Sequence, residues 1–327
     1  MGRSTSRHTP DIGDLVERCV TGEARAVGRL ISLVEDQSPW LRKVMAMLAP
    51  QAAMASVVGV TGSPGVGKST TTSALVAAYR RLGRRVGVLA IDPSSPFSGG
   101  ALLGDRVRMQ EHALDPDVFI RSLATRGHLG GLSAATPQAL RVLSAARCEV
   151  VIIETVGVGQ AEVEVAALAD TTVVLLAPGM GDAIQAAKAG IMEVADVFAV
   201  NKADREGSDT VVRDLRSMLA LGDRRTEQGW RPPVVKTVAA KGQGVDELLA
   251  EVERHAGWLG SSGQLELRRT ARAAAEVEAI ALAALRARIG DLQGDRLQVL
   301  ATSVVGGGLD PYSAADQLIE AVSQPPR

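Results

Sequence analysis

Aromatic side chains are almost missing from this chain. Phe, Trp and Tyr together make up 2% of its 327 residues, so stacking platforms for single-stranded nucleic acid are scarce. Neither sign of charge dominates: the formal net charge is −1 at pH 7, which gives no basic surface for a phosphodiester backbone. No nucleic-acid partner is therefore expected. There are two cysteines, Cys19 and Cys148, and four histidines, His8, His112, His128 and His255. Neither set has metal-site spacing, and so sparse a use of cysteine suits a reducing cytoplasm. Cys148 precedes an apolar run and reads as a plain buried thiol; His112 and His128 fall in predicted loops, with solvated or loop-stabilising roles. No apolar run reaches the roughly 18–20 residues of a membrane span, so no membrane partner is expected. What is present is 46% hydrophobic residue. With so few aromatics, a core must be built from Ala, Val, Leu and Ile.

Those residues come in a pattern. Between 56 and 259, apolar runs at 57–61, 86–91, 117–121, 150–154, 172–177, 197–201 and 234–238 alternate with helical stretches at 68–82, 135–146, 162–168, 183–194, 208–220 and 245–257. Near-continuous apolar strands alternating with helices predict a mostly parallel central sheet covered on both faces, an α/β fold. Ligands then collect at the carboxyl ends of the strands. Residues 1–55 read as a tail and helical extension, with two helices separated at Pro39. Gly260-Ser261-Ser262-Gly263 reads as a linker. Beyond it, 260–327 reads as a helical arm, with Val277, Ile280, Ala281, Ala284 and Leu285 forming an apolar stripe at helical spacing. Gly306-Gly307-Gly308 reads as a turn and 311–322 as a last short helix. The stripe is too small to be a core by itself, which points to a homodimer through this arm.

Gly62-Ser63-Pro64-Gly65-Val66-Gly67-Lys68-Ser69 is a complete G-x-x-x-x-G-K-[ST] phosphate-binding loop between a predicted strand and a predicted helix. The glycines let backbone N–H groups approach phosphate oxygens, and the helix N-terminus at Thr70 adds its partial positive charge. Lys68 is placed to reach the β- and γ-phosphates, and Ser69 to ligate Mg²⁺.

A second motif selects the base. Asn201-Lys202-Ala203-Asp204 follows an apolar run and matches N-K-x-D. The Asp204 carboxylate can accept from both N1–H and the exocyclic amine of guanine, a donor pair that adenine lacks. Lys202 can lie along the base face. Val238-Ala239-Ala240-Lys241 matches a degenerate S-A-K loop, with Ala239 where Ser is usual, and a backbone N–H there could contact guanine O6. GTP/GDP with Mg²⁺ is the expected ligand set.

The switch chemistry centres on Glu154-Thr155-Val156-Gly157, a D-x-x-G pattern with Glu in place of Asp. Glu154 can hold a Mg²⁺-bound water and Gly157 can offer its N–H to the γ-phosphate. Val158 stands where a water-positioning Gln is found in Ras-like proteins and cannot orient water; Gln160 is the nearest polar candidate. Asp92 ends a predicted strand near the metal or the attacking water. Loops at 98–106, 125–132 and 178–182 carry glycine hinges.

These strings together resemble a known family. Glu154 in Glu-Thr-x-Gly resembles the GTPase family named for that glutamate. The stretches Ile91-Asp92-Pro93-Ser94-Ser95-Pro96, Gly99 to Arg106, Arg126-Gly127-His128-Leu129-Gly130-Gly131 and Glu154 to Gln160 look like its MeaB-type branch over roughly residues 15–325. The resemblance implies a GTPase that gates adenosylcobalamin loading onto methylmalonyl-CoA mutase and protects that enzyme. It also implies a homodimer, a Mg²⁺ site at Ser69, Asp92, Asp105 and Glu154, and a third switch loop at about 178–188 ending at Lys188, which is taken with Lys68, Asp92 and Glu154 as catalytic. A nickel-inserting GTPase and a P-loop small-molecule kinase are the competing readings; the scattered Cys and His count against the first, and N-K-x-D against the second.

Overall fold

The computed structural model describes residues 11–51, 54–92, 109–124, 135–155, 161–179, 191–222, 229–291 and 295–323. Seven strands form one sheet: β1 (Ser56–Gly62), β2 (Val86–Asp92), β3 (Val118–Ala124), β4 (Val150–Thr155), β5 (Thr171–Leu176), β6 (Val197–Val200) and β7 (Val234–Lys236). Every pairing is parallel, in the order β3-β2-β4-β1-β5-β6-β7. All seven expected strands are present. The third extends to Ala124, further than its apolar run, because it pairs with β2 along its whole length.

Among the described residues, three α-helices precede the sheet: α1 (Ile12–Val20), α2 (Ala24–Glu35) and α3 (Leu41–Leu48). Two were expected. The additional break lies at Gly22, whose φ of +83° is left-handed and ends α1 after one residue of turn. Arg18 then pairs with Glu23 across the break. Apolar spacing runs straight over this point, so periodicity alone hides it. Further along come α4 (Lys68–Arg81), α5 (Thr136–Ala145), α6 (Ala161–Leu168), α7 (Ile191–Val194), α8 (Ser208–Gly222) and α9 (Val245–Ser261). Of the helix expected over 183–194, only Ile191–Val194 falls within the described residues.

Alternate residues of each strand enter different cores, as the two-residue period requires. Val57, Leu89, Val151 and Ile153 pack with α1, α2, α3 and α5. Val58, Val60, Val88, Ile152, Val173 and Val197 pack with α4 and α9. Val174, Leu176, Phe198 and Val200 pack with Leu215 of α8. Both faces are therefore apolar and covered. Both thiols are sealed in: Cys19 and Cys148 are buried, and burial pushes each up to about 12.

The chain divides into two compact units, 1–266 and 267–327. The stretch Gly260–Gly263, read as a linker, is the last turn of α9 followed by a tight turn at Ser262 and Gly263, the latter with φ +74°. Leu259, fully buried, anchors that last turn, and a helix tolerates a glycine such as Gly260 at about 1 kcal/mol. Beyond it lie α10 (Gln264–Asp291), α11 (Asp295–Val305) and α12 (Pro311–Ser323). α11 was not anticipated, although Leu297, Leu300, Ala301 and Val304 fall at helical spacing. In the second unit Val277, Ile280 and Leu285 are 67%, 48% and 46% exposed. Among the described residues, no helix is long and apolar enough to cross a membrane.

Candidate functional site

The site is built where β1, β4, β6 and β7 end. β1 lies between β4 and β5, so its carboxyl end is flanked on both sides. Gly62 closes β1 with φ +141°, and a Cβ there would stand 2.4 Å from the Leu175 carbonyl oxygen. Gly67, at φ +98°, delivers the chain into α4; a Cβ there would stand 2.4 Å from Nδ2 of Asn201. Glycine is required at both positions by backbone angle and by space. Between them Val66 is completely buried and pins the loop to the core.

α4 begins without a side-chain cap, and its first turn carries no acidic residue. Its first N–H groups and the positive end of its dipole are thus not matched by an acceptor from the cap residue, which suits an anion. Thr70 is exposed at that end, while Lys68 and Ser69 are buried. The Lys68 ammonium donates to the carbonyl oxygens of Gly62 at 2.6 Å and Ser63 at 3.1 Å, folding back over the loop.

Ser69 Oγ donates to Glu154 Oε1 at 2.5 Å. Glu154 is 2% exposed and pairs with Val60 in the β1–β4 register, two residues before the phosphate loop begins. A hydroxyl and a carboxylate oxygen thus meet at the first turn of α4. All-oxygen ligation of this kind fits a hard divalent cation such as Mg²⁺. Asp92 ends β2 opposite Ala124; its side chain lies outside the described residues, as do Asp105, Gly157, Val158, Gln160 and Lys188.

The base motif sits across the loop. Asn201 is 3% exposed, and its amide is engaged at both ends. Nδ2 donates to the Val66 carbonyl at 2.8 Å, while Oδ1 accepts from Thr237 Oγ1 at 3.2 Å and from the Ala239 N–H at 3.1 Å. Asn201 is therefore a tie between the phosphate loop and the loop after β7. The Ala239 amide is engaged with Asn201 and is not the N–H directed at guanine O6; Ala240, the exposed next residue of the same 3-10 turn, is the remaining candidate. Lys202, at φ +56°, donates from Nζ to the Gly65 carbonyl at 2.6 Å, a second tie to the same loop. Asp204 Oδ2 accepts from Lys241 Nζ at 2.8 Å, and that hydrogen bond holds the Asp204 carboxyl below the usual carboxylate range.

One buried polar group was missed by sequence reasoning. Ser73, one turn past Ser69 on α4, donates to Glu111, and His112 Nε2 lies 3.0 Å from Ser73 Oγ and 3.1 Å from the Ser73 carbonyl. His112, expected in a loop, is buried in a 3-10 turn (Gln110–His112) that it fastens to α4. Glu111 and Ser73 both approach the same imidazole nitrogen, so this is no acid–base–nucleophile relay. No local spacing links residue 73 to residues 111 and 112.

The family profile described as "Methylmalonyl Co-A mutase-associated GTPase MeaB" matches residues 27–292. The chain belongs to the MeaB family of P-loop GTPases. A Pyrococcus horikoshii protein named provisionally as a GTPase is 46% identical over 312 residues, covering 95% of this chain and 98% of the relative. GTPase ArgK of Escherichia coli is 36% identical over 261 residues, 78% of this chain and 79% of the relative. The mitochondrial methylmalonic aciduria type A homolog of Caenorhabditis elegans is 35% identical over 283 residues, 81% of this chain and 71% of the relative. Among solved structures, the LAO/AO transport system kinase matches with a TM-score of 0.69 and 27% identity, covering 96% of this chain and 98% of that one.

Proposed function

We propose that this MeaB-family protein hydrolyses GTP to GDP and phosphate, and that hydrolysis gates adenosylcobalamin loading onto methylmalonyl-CoA mutase and protects that enzyme. The observation that carries the GTPase part is Asn201, which ties the phosphate loop to the base-side loop. Phosphates rest on the backbone of residues 62–70 and on the N-terminus of α4. Lys68 leaves the Gly62 and Ser63 carbonyls for the γ-phosphate, where its charge stabilises the transferring phosphoryl group. Asp204 accepts from the guanine edge, Lys202 lies along the base, and the loop with Ala240 and Lys241 closes the pocket. Ser69 and Glu154, with Asp92 and Asp105, would hold Mg²⁺, which when bound neutralises phosphate charge. Gly157 senses the γ-phosphate. Val158 cannot orient water, so turnover by the protein alone is slow and the partner completes the site.

The partner reading rests on the family's description and on the name of the Caenorhabditis elegans relative. In this reading the loop 178–188, with Lys188, carries the nucleotide state to the mutase. Residues 260–327 make a homodimer through exposed apolar residues of α10, and 1–55 and 56–259 act as helical extension and GTPase domain in the cytoplasm. A phosphoryl-transfer reading is suggested by the kinase name of the structural relative; the guanine-type base loops weigh against it. The deciding experiment measures turnover of GTP and ATP with and without methylmalonyl-CoA mutase, in wild type and Lys68→Ala. Slow GTP turnover, accelerated by mutase and abolished in the variant, is expected. Equal turnover of ATP would refute the base assignment; a rate indifferent to mutase would refute the partner.

A further inference from the structure

The base-side loops hold a pair that no motif predicts. Asp204 lies on the loop after β6, and Lys241 ends the 3-10 turn after β7. Their Nζ–Oδ2 distance is 2.8 Å. Both ends are mounted on stiff backbone. Ala203 N–H donates to the Thr237 carbonyl at 3.0 Å, tying the Asp204 loop to the end of β7. The Lys241 turn is closed by reciprocal bonds between Val238 and Gln243 at 2.9 and 3.3 Å, and Gly242 follows at φ +69°. Asp204 and Lys241 side chains are 40% and 59% exposed, and an exposed ion pair adds little to fold stability. The pair therefore has little purpose as a staple.

Its purpose is legible from what surrounds it. In the turn after β7, Ala239 has only a methyl group and its amide donates to Asn201, so the side-chain donor to Asp204 from this turn is Lys241. A half-exposed carboxylate needs firm partners to hold its plane, and the largest influence on Asp204 is the Lys241 hydrogen bond, with its own backbone N–H a smaller one. A guanine edge needs that plane fixed, because it presents two donors, N1–H and the 2-amino group, to two oxygens at once.

We propose that Lys241 is a positioning residue for guanine recognition, its ammonium fixing the Asp204 carboxylate in the plane of the base edge. This rests on the reading of Asp204 as the guanine acceptor. Lys241 donates to Oδ2, and the Asp204 backbone N–H also bears on the carboxylate; each carboxylate oxygen can accept more than one hydrogen bond, which leaves capacity for the base edge. The charged groups acting on Asp204 are Lys241 and, more weakly, Arg205. Near neutral pH the carboxylate is ionised with or without Lys241, so the contribution there is orientation. In acid, removal of Lys241 lets the carboxyl titrate at higher pH than in wild type.

The test compares wild type, Lys241→Met, which keeps the aliphatic stem, Lys241→Arg, which keeps the charge, Asp204→Asn and the double variant Asp204→Asn with Lys241→Met. Each is titrated with GTP and with ITP, which lacks the 2-amino group. Lys241→Met is expected to weaken GTP by about five- to tenfold, the scale of one charge-assisted contact. ITP loses less, so the GTP/ITP ratio narrows. Lys241→Arg restores most of the ratio, and Lys241→Met has no further effect in the Asp204→Asn background. GTP binding by Lys241→Met equal to wild type, or an equal loss for both nucleotides, overturns the positioning role. If Asp204→Asn alone leaves GTP affinity intact, the base-site reading falls, and the positioning role with it.

Discussion

Asn201→Ala tests whether one side chain holds the two halves of the site together. The amide makes three hydrogen bonds, at 2.8, 3.1 and 3.2 Å, to Val66, Ala239 and Thr237. All three partners are buried, at 0%, 6% and 1% exposure. Truncation therefore leaves a carbonyl, an amide and a hydroxyl short of a partner in a site with little access to water. Each such loss is worth about 1–3 kcal/mol. Water entering the vacated space recovers part of that, so the sum is about 3 kcal/mol, within about 2–5. The same change unties the phosphate loop from the base-side turn, so GTP affinity should fall by more than about tenfold, the loss expected when a preorganised site must be reordered on binding. Asn201→Asp separates the two roles: it keeps the acceptor for Thr237 and Ala239 but sets an oxygen against the Val66 carbonyl. Urea unfolding followed by tryptophan fluorescence gives the stability change, and calorimetric titration gives the affinity. A loss under about 0.5 kcal/mol, the range of ordinary surface changes, or an unchanged GTP affinity, would refute the tie.

Three further outcomes follow from exposure and burial. Light scattering at micromolar concentration should find a two-fold dimer that Ile280→Glu with Leu285→Glu converts to a GTP-binding monomer, since both residues are nearly half exposed in the single chain; a monomeric wild type would defeat the proposal. Cys19 and Cys148 should resist a thiol reagent at pH 8 in the folded protein and both react after denaturation. Because burial raises both thiols to about 12 while the unfolded chain deprotonates near about 8.5, the unfolded state releases protons first. Stability should then fall as pH rises from about 8.5 toward about 12, seen as a declining melting temperature.

What could be read from the sequence divides along a physical line. The inner strands β1, β2, β4, β5 and β6 are buried on both faces and so are nearly continuously apolar, while the edge strands β3 and β7 showed only as shorter apolar stretches; the phosphate loop announced itself because its glycines answer to backbone angles at Gly62 and Gly67 that few other residues tolerate. Features that depend on where distant segments meet gave no such sign. The break at Gly22 interrupts a helix without interrupting its apolar spacing, and α9 runs through Gly260 because Leu259 is anchored in the core. Ser73 meets His112 across 39 residues, and Asp204 meets Lys241 across 37. Asn201 is the instructive case, for its motif was visible while its use was not. A motif reports that a residue type is required, and the requirement at 201 has two sources. The backbone at Gly67 leaves no room for a Cβ because Nδ2 of Asn201 stands there, so the glycine of the phosphate loop and the asparagine of the base loop constrain one another. Gly67→Ala should therefore damage the base side as well as the phosphate side, and the two motifs, 134 residues apart by their numbering, behave as one structural unit.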